Sequence, residues 1–373
     1  MNKTIIYSGE FVLPDRSAAA NRVVANSKAF AELGYKTVFL GSSGSNDSFC
    51  GVREVSGFKD MFEVSHPSSS LQWIKHIFSV KNLKSFASKY NAGTVILYNT
   101  PVLTLICVRL AFIFSGIKVY YDCTEWTKFT EGSYLKRLFK YIDEWFVRNT
   151  LPMFCDGIIA ISDIMMKKYR RCRKLIKIPP LVDITDTVWN QKPFEDSDIF
   201  EFCFAGIPDG NKESPDKILE AFSLISDDKI RLRIVGMTKN DYISNYPDFA
   251  SFAQDKRIVF EGRVPHKDAV QFIINCDCYI FIRVSDSRNN AGFPTKFAEA
   301  YTLCRPVITT AISDLPSYFE NNECGELLDG ISVEKISAAM KRQLEKGKIS
   351  KDGRLSDRFD YHSYLEEFKC FIN

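Results

Sequence analysis

Short β-branched runs alternate with amphipathic helical stretches in two successive sets, and this pattern predicts an α/β protein of two doubly wound, Rossmann-like parallel-sheet domains. Length and composition agree: 373 residues, 45% hydrophobic and 25% charged, suit about two globular domains with sizeable cores. The segment Ile178-Pro179-Pro180-Leu181 breaks the strand-helix rhythm and is the best interdomain linker. The expected domains are therefore residues 1–180 and 181–357, with a C-terminal helix within 358–373 able to pack back on the first. Such a pair faces across a cleft between the carboxyl ends of two sheets, where ligands bind in these folds.

In the first set the candidate strands are Thr4 to Ser8, Lys36 to Leu40, Thr94 to Tyr98, Lys118 to Tyr121, Gly157 to Ile161 and Leu175 to Ile178. The first helix spans about Ser17 to Leu33, with Gly34 placed to end it. The second set offers Phe200 to Phe204, Arg231 to Val235, Arg257 to Phe260, Cys278 to Ile282 and Pro306 to Thr309, each before a plausible helix. A last helix is expected around Tyr361 to Ile372.

Composition narrows the function. The formal charge of +3, from 49 basic and 46 acidic residues, is too balanced for a nucleic-acid footprint. Eleven cysteines lack a paired CxxC spacing, which favours reduced thiols in a cytoplasmic protein. The four histidines, His66, His76, His266 and His362, do not cluster with them, so no metal site is expected. His266 follows Pro265 and reads as a helix start rather than a catalytic group. The N-terminus lacks the apolar core of a secretory signal, and the most apolar run, Val102 to Phe114, falls short of the roughly 20 residues that span a bilayer. It reads as a buried helix.

The most informative stretch is Asn290 to Thr310, NAGFPTKFAEAYTLCRPVITT, read as loop, helix and strand. Pro294 has the fixed φ and missing N–H that suit a first helical turn, so free amides point back toward Gly292 and attract phosphate. Lys296 in that turn is electrostatically wrong for a bare helix start, and a bound anion explains it. Glu299, one turn on, can accept hydrogen bonds from vicinal hydroxyls such as those of a ribose. The competing reading is an exposed i,i+3 ion pair worth a few tenths of a kcal/mol. Gly292, which permits close backbone approach, and the Thr295 hydroxyl favour a ligand.

These segments together resemble a GT-B fold glycosyltransferase, and more narrowly the retaining family 4 enzymes that build bacterial surface polysaccharides. AGFPTKFAEAYTLCRPVIT resembles their donor-binding segment, in which Glu299 matches the carboxylate that holds the donor ribose. FCFAGIPDGNKESPDKILEAF resembles the loop on the donor diphosphate, with Gly206 at a strand end and Lys212 before a helix. ISDIMMKKYRRCRKLIKIPPLVD is similar to the family's passage into the linker. GEFVLPDRSAAANRVVANSKAFAELGYKTVFL, which contains Arg16, resembles its first loop, helix and second strand, and YYDCTEW, with Asp122 and Glu125, an acidic segment on the acceptor side.

Two departures stand out. Many family members carry two glutamates separated by seven residues, but the position eight before Glu299 is Ala291. The usual arginine before the second-domain lysine is also absent, and Arg283 at a strand end is the candidate to supply that charge. Lys212 also reads as a solvated loop lysine, and Asp122 as a turn cap. The helix from Tyr134 to Phe146 combines an apolar side with Lys136, Arg137 and Lys140, which reads as sheet packing or as contact with a membrane surface.

The resemblance implies sugar transfer from a nucleoside diphosphate sugar to a hydroxyl of a glycan or lipid-linked glycan, with retention, no cofactor and no metal. Lys212 and Lys296 would stabilise the leaving diphosphate, with Glu125 a further catalytic candidate; Gly206, Arg283, Gly292, Thr295 and Glu299 would complete the donor site. Arg16, Asp122 and Glu125 would face the acceptor. The expected partners are therefore the donor and the acceptor, with peripheral contact at the inner face of the membrane and no nucleic acid. A GT-B sugar-nucleotide epimerase and a catalytically silent partner protein remain alternatives. A nicotinamide-dependent dehydrogenase is weak, because no GxGxxG opens a helix after the first strand.

Overall fold

The structure, a computed structural model, describes residues 2–13, 17–43, 57–65, 72, 80–126, 134–195, 197–206, 212–319 and 324–373. The chain divides into two compact units. Unit 1 comprises Met1–Val182, Ala291–Phe293 and Asp360–Asn373; unit 2 comprises Asp183–Asn290 and Pro294–Phe359. The chain leaves and re-enters unit 1 side by side, where Val182 and Asp360 form a parallel bridge and the Tyr361 N–H donates to the Val182 carbonyl at 3.0 Å.

Unit 1 holds a seven-stranded parallel sheet of β1 (Thr4–Gly9), β2 (Lys36–Ser43), β3 (Met61–Ser65), β4 (Thr94–Tyr98), β5 (Lys118–Cys123), β6 (Gly157–Ala160) and β7 (Leu175–Lys177). Their spatial order is 3-2-1-4-5-6-7. Unit 2 holds six parallel strands, β8 (Phe200–Ala205), β9 (Ile230–Val235), β10 (Ile258–Gly262), β11 (Cys278–Ile280), β12 (Val307–Thr310) and β13 (Gly325–Leu328), in the order 10-9-8-11-12-13. Both sheets are doubly wound. Strand order reverses between β1 and β4 and again between β8 and β11, and such reversals open a crevice at the carboxyl ends of the strands.

Local chemistry accounts for the elements. The Ser17 hydroxyl accepts from the Ala20 N–H and starts the Ala18–Glu32 helix, which ends at Leu33 before Gly34 at φ +80°. Every residue of β4, β6 and β8 is buried, as parallel strands covered on both faces require. The C-terminal Leu365–Ile372 helix belongs to unit 1, where Phe368 meets Phe30 at 4.9 Å between ring centroids and Phe371 meets Tyr120 at 4.6 Å. A 3-10 turn, Tyr361–Tyr364, precedes it where one continuous helix was expected.

Two strands escaped the sequence reading, β3 and β13, and both are sheet edges. The apolar run at Val102 also differs from expectation. Its helix, Val102–Phe112, buries Val102, Leu105, Val108 and Phe112 along one stripe, whereas Leu110, Ile113 and Phe114 are exposed. A helix laid on one sheet face hides only one side. No helix among the described residues is long and apolar enough to cross a membrane.

Candidate functional site

The reversal between β8 and β11 in unit 2 gathers the charged residues that the sequence singled out. Gly206 follows strand β8 directly, and any Cβ there would overlap the Lys296 side chain, so glycine makes room for the ammonium. Tyr279 of β11 fixes this strand end: its hydroxyl donates to the Ala205 carbonyl at 2.8 Å and accepts from the Ala205 N–H at 3.3 Å. Lys296 extends from the first turn of the Thr295–Thr302 helix and lies over the Phe204 ring, 4.6 Å from its centroid.

Glu213, which sequence reasoning missed, is the centre of the cluster. Its Oε2 forms an ion pair with Lys296 Nζ, and its Oε1 accepts from Arg283 Nη2 at 2.9 Å and Nε at 3.2 Å. An antiparallel bridge between Glu213 and Arg283 and the Ser214 N–H bond to the Ile282 carbonyl at 3.0 Å hold the backbones together. Arg283 is anchored further, since its N–H donates to Thr310 Oγ1 of β12 at 3.1 Å and the Thr310 hydroxyl meets its carbonyl at 2.7 Å.

The three side chains differ in access. Glu213 is 3% exposed, but Lys296 keeps 17% of its side-chain surface and Arg283 13%. Burial alone would push the Glu213 carboxyl up; Lys296 and then Arg283 outweigh it and hold it below the ordinary glutamate range. Burial draws the Lys296 ammonium below its ordinary range, opposed by Glu213 and helped by the repulsion of Arg283. Among the described residues of this cluster two cations thus share one hidden carboxylate, leaving one positive charge over at a strand end.

The same place holds the start of the Thr295–Thr302 helix. Pro294 stands at its N-cap, no side chain among the described residues caps the first turn, and no acidic residue lies in that turn. Glu299 does not pair with Lys296. Its Oε1 lies 3.0 Å from His266 Nε2, so the exposed i,i+3 pair is not what the fold forms. His266 does begin a helix, His266–Asn275, but it also faces a carboxylate 33 residues away in sequence that no local spacing could reveal.

The other candidates divide between the two units. Lys212, beside Glu213, is partly exposed, and Thr295 is the first residue of its helix. Gly292 lies in the three residues that group with unit 1. Arg16 lies outside the described residues. Glu125 is exposed in unit 1, whereas Asp122 is fully buried and accepts from the Tyr7 hydroxyl, from Asn26 Nδ2 at 3.3 Å and from Arg22 Nη2 at 2.8 Å. Arg22 Nη1 also binds the carbonyls of Ile178 and Pro179 at 2.9 and 3.0 Å, which ties the first helix to the segment before the unit boundary. The Asp122 carboxylate therefore presents no oxygen to solvent and caps no turn.

Comparison with known proteins bears on the family and the fold. Residues 191–359 match the family described as glycosyl transferases group 1. No curated protein sequence matches the chain. Among solved structures the chain is similar to sucrose-phosphate synthase from Thermosynechococcus elongatus, with a TM-score of 0.68 at 13% identity over 100% of this chain and 95% of that one. HepE from Anabaena in complex with UDP and glucose gives 0.68 at 13% identity over 98% of both chains. The lipopolysaccharide outer core galactosyltransferase WaaB gives 0.64 at 15% identity over 99% of both. The chain thus shares the GT-B fold of these structures, and its residues 191–359 match the group 1 glycosyl transferase family.

Proposed function

We propose that the protein is a retaining, family 4 hexosyltransferase that moves a sugar from a nucleoside diphosphate sugar to a hydroxyl of a glycan or lipid-linked glycan. It does so without a required metal or cofactor, at the inner face of the membrane, in surface polysaccharide biosynthesis. The observation that carries this reading is the Lys296–Glu213–Arg283 cluster at the β8–β11 reversal, with its surplus positive charge beside an uncapped helix start. HepE has been solved with UDP-glucose and WaaB is named a galactosyltransferase, which supports a nucleotide-sugar donor and a surface-glycan setting.

In this reading the diphosphate is the leaving group, and its developing charge falls on Lys296, Arg283 and the amides at Thr295 and Lys296. Lys212 lies next to Glu213 and adds a further cation. Glu299, oriented by His266, accepts from the ribose hydroxyls. The departing diphosphate oxygen takes the acceptor's proton, so no protein nucleophile is assigned. Glu125 and Arg16 stay on the acceptor side as proposals, and the buried Asp122 would act there only by shaping unit 1.

A panel of nucleoside diphosphate sugars tested for protection against thermal unfolding checks the proposal. A donor present at about 100 times its dissociation constant stabilises the fold by about 2.7 kcal/mol. Protection by one or more donors is expected; protection by none would remove the assignment.

A further inference from the structure

The helix Tyr134–Thr150 in unit 1 is turned inside out. Its only two acidic residues, Asp143 and Glu144, point inward: Asp143 Oδ1 accepts from the Val102 N–H at 2.8 Å, and the buried Glu144 pairs with Arg148 at 2.6 Å. Val147 is buried beside them. The opposite side carries Leu138, Tyr141, Ile142 and Trp145 at helical spacing, flanked by Phe139 and Phe146, and all six are exposed, Trp145 to 51%. A lone exposed apolar residue needs no explanation, but a stripe of six large ones over two turns marks a contact surface.

The stripe continues past the helix end. Met153, 75% exposed, and Ile164 border an open hollow of about 680 Å³, floored by Trp126 and Pro152. Arg148, Lys167, Lys168, Arg170 and Arg171 line that hollow, and Arg148 stacks over Trp126 at 4.3 Å. Arg137 and Lys140 are exposed on the helix itself. Lys168 Nζ binds Asn149 Oδ1 at 3.0 Å, which fastens the Asp163–Lys168 helix to the end of the longer one and makes the surface continuous.

We infer that this face docks on an anionic lipid bilayer, and this deepens the acceptor half of the reading above by naming the surface that meets the membrane. The charge pattern selects the occupant. A second copy of the chain related by a two-fold axis would set this basic rim against itself, because the carboxylates of the two helices are engaged: Asp143 and Glu144 face inward and Asp163 pairs with Lys177 at 2.7 Å. An anionic bilayer satisfies both halves: the aromatic and aliphatic side chains enter the headgroup boundary while lysine and arginine stay at the phosphates.

Co-sedimentation of the full chain with phosphatidylcholine vesicles, with and without phosphatidylglycerol, tests the inference. It is read without donor, so a failure here leaves the donor site untouched, and failure of the donor assay leaves this result untouched. Sedimentation only with the anionic vesicles is expected, together with a blue shift of tryptophan emission that Trp145→Phe abolishes. Ile142→Glu with Trp145→Glu should weaken binding about tenfold or more, and each of Lys167→Glu, Lys168→Glu and Arg171→Glu about fivefold. Circular dichroism and thermal unfolding confirm that each variant is folded. Protein left in the supernatant with both vesicle types, equal binding to both, or folded variants that bind like the parent would overturn the inference. So would a dimer in solution that Ile142→Glu with Trp145→Glu dissociates while vesicles bind nothing.

Discussion

Each unit hides a carboxylate among cations, and the two clusters differ in what remains once the charges are paired. In unit 1 Asp122 meets Arg22 one to one, and the donors that Arg22 has left reach the carbonyls of Ile178 and Pro179. In unit 2 Glu213 meets both Lys296 and Arg283, and both cations keep some surface where the glutamate keeps almost none. The first cluster is closed and works as a latch between elements. The second is an open one, with charge and donor capacity left for a ligand. Burial of ionised side chains therefore does not by itself mark a functional site, because surplus charge and residual access separate the two cases.

The comparison breaks most sharply if Asp122→Ala is tolerated. That change strands a buried guanidinium and should destabilise the protein by about 3–5 kcal/mol in urea unfolding. A midpoint close to that of the parent would show that the latch is not one. Lys296→Ala should act in the opposite sense, leaving Glu213 paired with Arg283 and the fold nearly as stable. Its expected cost is about 1.5–3 kcal/mol of nucleoside diphosphate affinity in calorimetry.

Glu213→Gln sharpens the same contrast. Without the carboxylate the Lys296 pKa, already drawn down by burial, falls further, so diphosphate affinity should be lost at a lower pH than in the parent as pH rises. A pH profile that superimposes on that of the parent would separate Glu213 from the site. Glu299→Ala should cost about 1–2 kcal/mol of donor affinity through its ribose contacts, with Glu299→Gln intermediate, and unchanged affinity would remove the ribose assignment.

A third carboxylate sets the scale for burial without a cation. Burial raises the Asp143 pKa from 3.8 to about 6, lowered somewhat by the Val102 N–H and raised further by Glu144. A raised folded-state pKa means that the folded form holds the proton more tightly, so this group's contribution to stability falls as pH rises from about 4 to 6. Asp143→Asn should remove that slope and gain on the order of 1 kcal/mol at neutral pH. A slope that survives the substitution assigns it to another group.

Much of this was legible in the sequence for a physical reason. Interior strands such as β4 and β6 are covered on both faces and read as short runs without a charge, so doubly wound sheets could be foreseen. The edge strands β3 and β13 were not foreseen, because each is shorter than β8 and its glutamate leaves no more than two apolar residues in a row. Glu63 accepts from the Leu13 N–H at 3.1 Å, and Glu326 takes Arg342 at 3.0 Å, contacts made only after folding. The site divides in the same way. Lys296 was readable because a cation at a helix start is a local anomaly, whereas Glu213 and His266 act through partners 83 and 33 residues away. No spacing rule reaches that far, and nothing in YYDCTEW distinguishes a buried Asp122 from an exposed one.

The central claim is that the surplus charge in unit 2 receives a diphosphate. Isothermal calorimetry of the full chain and of Lys296→Ala, with UDP, GDP and ADP beside their parent nucleosides, tests it most directly. The account predicts that at least one diphosphate binds the parent and that the substitution weakens it by roughly tenfold or more while the matching nucleoside is unaffected. Equal losses for diphosphate and nucleoside, or a diphosphate that binds both proteins alike, would contradict it.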